Sequence, residues 1–64
     1  MTKEEISGLT KDYNNVRTYF PFPTVSASES GIESILKLYP EIESMERSEQ
    51  IRSIANVIYN LAFN

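Results

Sequence analysis

Residues 45–63 read MERSEQIRSIANVIYNLAF, and the spacing inside this stretch decides how the chain folds. At about 100° per residue, Ile54, Val57, Leu61, Ile58, Ile51, Ala62 and Ala55 fall on one continuous arc, which already makes a full core-facing stripe. Tyr59 and Phe63 widen that arc to roughly 240°, whereas packing against one side needs only about 100°. A helix over 45–62 with so broad a stripe must be central to the fold or touch another chain. Ser44 or Ser48 stands where its first free amides need a cap. Ahead of it, PEIESMER (40–47) is acidic with only Ile42 and Met45 apolar. It reads as a connection, with Pro40 suited to open a short helical turn.

The same spacing appears at the start of the chain, where Ile6, Leu9, Tyr13, Val16 and Phe20 recur at intervals of three and four. This predicts a first helix over 2–19. Thr2 and Glu5 form a capping-box pattern, in which hydroxyl and carboxylate each satisfy a free amide at the helix start. Asn14 and Asn15 are weak helix formers and mark the expected weak point. Pro21 and Pro23 end the helix, since proline lacks an amide and drives the preceding residue out of helical conformation. Phe20 and Phe22 around Pro21 are expected to plug one end of the core. A second helix is predicted over 27–39, with Ser26 and Glu29 as its capping box and Ile32, Ile35, Leu36 and Tyr39 on one face.

The resulting expectation is one all-α domain over 1–64, a small three-helix bundle with room for an extra short helical turn in the 40–46 connection. Its expected core is Ile6, Leu9, Val16, Ile32, Ile35, Leu36, Ile51, Ile54, Ile58 and Leu61. Tyr13 and Tyr39 are read as core filling before contact surface.

Composition narrows the function. The 64 residues hold no Cys and no His. Disulfides are therefore absent, and a metal site would have to be built from carboxylates alone, without any EF-hand-like loop. The commonest proton carrier and the best nucleophile are both missing, no phosphate-binding glycine motif occurs, and a chain this short rarely encloses a substrate pocket. An enzyme is not expected, nor is a cofactor. No apolar run reaches the roughly 18 residues of a membrane span and no signal peptide is legible, so a cytoplasmic protein is expected. Charge is unevenly spread: residues 1–20 balance, while 21–50 carry six glutamates against Lys37 and Arg47. Six scattered cations disfavour nucleic acid, which calls for a basic stripe.

Association with protein remains, through a foreign partner or a second copy of the chain. Tyr59 and Phe63 are the expected contact residues, because exposed aromatic rings give large contact area at small entropic cost. Glu43 and Glu46 of the acidic connection and the polar-side residues Arg52 and Asn56 complete the expected surface. The alternative is a helix-turn-helix-like DNA-binding regulator, in which Arg52, Asn56 and their neighbours would read base edges.

The opening MTKEEISGL (1–9), the YFPFP joint (19–23) and the closing IANVIYNLAFN (54–64) give the chain a look similar to the short accessory proteins of temperate phages. The group it resembles is encoded in the early region of lambdoid phages, between the recombination exonuclease and the excisionase. That resemblance implies a small helical protein made early in infection or induction. It would act in the host cytoplasm, on the cell or on the lysis-lysogeny decision, through a host regulator or enzyme. It assigns no role to any single residue.

Overall fold

In the computed structural model, which describes residues 1–63, three α-helices are joined by two 3₁₀ segments, and no strand occurs among these residues. The order is α1 (Lys3–Val16), a 3₁₀ turn (Arg17–Tyr19), α2 (Glu29–Leu38), a second 3₁₀ segment (Pro40–Ser44) and α3 (Arg47–Phe63). The fold is the small all-α three-helix bundle that the spacing predicts, with the extra turn in the connection opened by Pro40 at its first position. Each helix packs on the other two.

Local chemistry fixes where each helix starts and stops. Thr2 caps α1 from an extended conformation: its Oγ1 accepts from the Glu5 amide at 3.2 Å, and the Glu5 carboxylate accepts from the Thr2 amide at 2.8 Å. Hydrogen bonding to the carboxylate by Thr2, its backbone amide first and its side chain next, favours the charged form and holds Glu5 below its ordinary value of 4.5. Glu5 therefore adds stability that is fully present above 4.5 and is lost as pH falls through the depressed folded value. Circular-dichroism melts from about pH 7 down to about pH 2 should give Glu5→Gln a shallower acid decline than the wild type, and superimposable acid limbs would refute this linkage.

Instead of a single helix to residue 19, α1 ends at Val16 and the chain tightens into the Arg17–Tyr19 turn. The cause is Pro21, which holds Phe20 extended at φ −73°, ψ 148°. The Asn14-Asn15 pair does not break α1. Asn14 is instead retained by a role outside the helix: its Nδ2 donates to the Ala27 carbonyl and its Oδ1 accepts from the Ala27 amide, both at 2.9 Å. That clamp removes Ala27 from α2. The second helix therefore begins at Glu29, with Ser28 as its cap accepting from the Gly31 amide at 3.1 Å, and the Ser26–Glu29 box does not form. Neither Ser44 nor Ser48 caps α3. Ser44 Oγ closes its own turn by donating to the Glu41 carbonyl, Ser48 lies within the first turn of α3, and helical bonding begins at the Glu46 carbonyl, which accepts from the Gln50 amide at 2.8 Å.

The core is aliphatic, built on Ile6, Leu9, Ile32, Ile35, Leu36, Ile51, Ile54 and Ile58, and it also takes in Tyr13, Ile42 and Ala55. Two expected members lie outside it: Val16 is 37% exposed and Leu61 76%. Val16 is the last residue of α1 and lines the open groove between α1 and α3. Leu61 belongs to the last turn of the 17-residue α3, about 25 Å long against about 15 Å for the ten-residue α2, so the final turn overhangs. Tyr39 is likewise exposed rather than core filling, since it closes α2 from a non-helical conformation. Tyr13 is fully enclosed. Its hydroxyl donates to the Val25 carbonyl at 2.8 Å, and burial pushes the phenol above its ordinary value, outweighing the Thr24 hydroxyl and Arg17 nearby. One buried amide completes the interior: Gln50 Nε2 donates to the Ile42 carbonyl at 3.0 Å and lies 3.5 Å from that of Glu43.

Candidate functional site

Four of the six expected contact residues share one strip of α3. Arg52, Asn56, Tyr59 and Phe63 follow at intervals of four, three and four, the spacing that places side chains above one another on a helix. Arg52 and Asn56 line a shallow groove with Met45, Ser48, Glu49 and Ser53. Arg52 also lines the adjoining groove between α1 and α3, of about 540 Å³, whose apolar lining is Val16, Phe20 and Ile51. On its rim Arg47 pairs with Asp12 at 3.2 Å. Arg52 is exposed and forms no ion pair among the described residues. An open guanidinium beside an apolar floor can take a carboxylate and an apolar side chain together, since arginine offers a fork of donors matched to carboxylate geometry.

Tyr59 and Phe63 are reached from this groove by a row of rings. Phe20 and Phe22 stack with centroids 5.5 Å apart, Phe22 meets Tyr59 edge-on at 5.2 Å, and Tyr59 lies 5.3 Å from Phe63. Such contacts add roughly 0.5–1.5 kcal/mol each beyond burial. The joint at Pro21 thus covers part of the excess apolar arc of α3: Tyr59 is half-buried by Phe22, while Phe63 remains 48% exposed at the free end of the row.

The two acidic residues are not brought to this strip. Glu43 is held by the Met1 ammonium, whose own pKa is raised chiefly by that hydrogen bond, and it lines a separate groove with Ile6, Leu36 and Pro40. Glu46 is exposed just before α3 and lines neither groove that holds Arg52. Sequence reasoning missed Arg47, Asp12 and Phe20 as neighbours of Arg52. Nothing in the chain's spacing couples residue 12 to residue 47, and Phe20 and Phe22, expected as a plug at one end of the core, were not linked in the sequence to Tyr59 and Phe63. Among the described residues no group of His, Cys, Asp or Glu is placed to hold a metal ion, and no helix is long and apolar enough to cross a membrane.

No protein-family model matches the chain, and no significant match to it is found among curated proteins or solved structures.

Proposed function

We propose that this chain is a small, non-enzymatic protein-interaction module that docks on its partner through the outer edge of α3. The observation that carries the reading is Arg52: an exposed cation that forms no ion pair among the described residues, beside an apolar groove that runs through Phe20 into the aromatic row ending at Phe63. In a chain of net charge −3 such a site selects an acidic surface with an apolar anchor. The resemblance to early-region proteins of lambdoid phages points to a host regulator or enzyme as that partner, met in the host cytoplasm.

Affinity capture from a host lysate tests this by comparison of variants. Wild-type protein and Leu61→Ser should retain the same partner, and Arg52→Glu should lose it by about tenfold or more, the effect of one charge-assisted hydrogen bond. Equal retention by Arg52→Glu, or recovery of no partner, would overturn the reading. The placement of Arg52 and Asn56 four residues apart on an exposed face favours the DNA-reading alternative, and Glu49 in the same groove opposes it. Duplex DNA should not bind at low salt; binding that weakens steeply as salt rises would put the regulator in place of the docking module.

A further inference from the structure

Two of the chain's six cations, Arg47 and Arg52, line the groove between α1 and α3, and the carboxylate in that lining is Asp12. The groove is thus locally positive in a molecule of net charge −3. We infer that it takes an acidic amphipathic helix of a partner protein, with two carboxylates one turn apart on Arg52 and Arg47 and an apolar side chain on the floor of Val16, Phe20 and Ile51, and that Asp12 is the intramolecular carboxylate this helix displaces. The inference rests on the docking role of Arg52 and adds to it the partner's chemistry and a competitor within the chain.

Asp12 is suited to give way. Its carboxylate meets Arg47 at 3.2 Å, with the two side chains 49% and 45% exposed, and an ion pair so open to water adds little to folding. Arg47 keeps its need of an anion when Asp12 leaves, because it opens α3, where the helix dipole disfavours a cation. Arg52 stands five residues further on, about 7.5 Å along the axis. Carboxylates four residues apart on a partner helix rise about 6 Å, so one reaches each arginine, and an amphipathic helix laid in an apolar groove is a recurrent mode of recognition. Charge selects against other occupants. Duplex DNA would bring phosphates against Asp12 and against Glu49 of the adjoining groove. A second copy would bring a like net charge of −3 to the encounter.

Fluorescence anisotropy with a labelled alanine-based helix of about 15 residues, carrying glutamates one turn apart beside leucine, tests this against the same peptide with glutamine for glutamate. The wild type should bind the glutamate peptide with Kd below about 1 mM and the glutamine peptide at least about tenfold more weakly. Arg52→Glu should weaken binding about tenfold or more, and Asp12→Asn should tighten it about threefold. Glu33→Gln makes the same change of net charge away from this groove and should leave the affinity unaltered. In Arg47→Gln the further change Asp12→Asn should have no effect, since the competition is for Arg47. If Asp12→Asn tightens binding no more than Glu33→Gln does, the inference is overturned, while a loss in Arg52→Glu leaves the docking role standing. Equal binding by Arg52→Glu overturns both. Absence of wild-type binding to the glutamate peptide overturns the acidic helix as occupant. So does a sedimentation mass that climbs above 7.3 kDa with concentration and falls back in Arg52→Glu, which would seat a second copy in the groove.

Discussion

Ile54→Ala is expected to leave most of the chain unfolded near 37 °C. Ile54 is fully buried at the centre of α3, and truncating such a side chain costs about 2–5 kcal/mol through lost transfer energy and the cavity left behind. A single core in a domain below about 70 residues rarely supplies more than about 3–5 kcal/mol, so the loss is comparable to the whole stability. Leu61→Ala, seven residues further along the same helix, should change stability by less than about 0.5 kcal/mol, because its side chain stands mostly in water. Urea titrations followed by helical ellipticity separate the two. Similar midpoints for both variants would mean that Leu61 is packed as tightly as Ile54.

Asn14→Ala should also produce a large loss, at a position the sequence marks only as a weak helix former. Its side-chain amide donates to and accepts from the backbone of Ala27, as a neighbouring strand would. Removing it deletes two neutral hydrogen bonds worth about 1 kcal/mol each and leaves two half-buried backbone groups in need of water. A total near 2 kcal/mol corresponds to a fall in melting temperature of about 8–16 °C for a domain of this size. The Ala27 amide should exchange with solvent faster than in the wild type. A melting temperature within about 2 °C of the wild type would mean that solvent replaces the clamp at no cost.

Helix existence and type were legible because the three-and-four spacing of Ile6, Leu9 and Tyr13, of Ile32, Ile35 and Leu36, and of Ile51, Ile54 and Ile58 admits few other readings. Boundaries were less so, because they were set by partners distant in sequence. Ala27 was kept out of α2 by Asn14, thirteen residues earlier, and the end of α1 was moved by the proline that holds Phe20 extended. Leu61 is misplaced because periodicity gives the direction of a side chain but not whether another element covers it, and Val16 because it faces the open groove between α1 and α3. For the candidate site, the strip from Arg52 to Phe63 follows from helical spacing alone. The apolar floor contributed by Val16 and Phe20 and the Asp12–Arg47 pair required the tertiary packing of α1 on α3.

Gln50 gives the interior something its isoleucines lack. A helix faced with Ile51, Ile54 and Ile58 presents much the same surface after a shift of one turn, so an aliphatic core tolerates several alignments of α3 at comparable free energy. Only one alignment brings the Gln50 amide to the carbonyl of Ile42, and any other strands a polar group in hydrocarbon. This lone amide selects a single native arrangement out of a near-degenerate set, and in so doing fixes which α3 residues reach the surface.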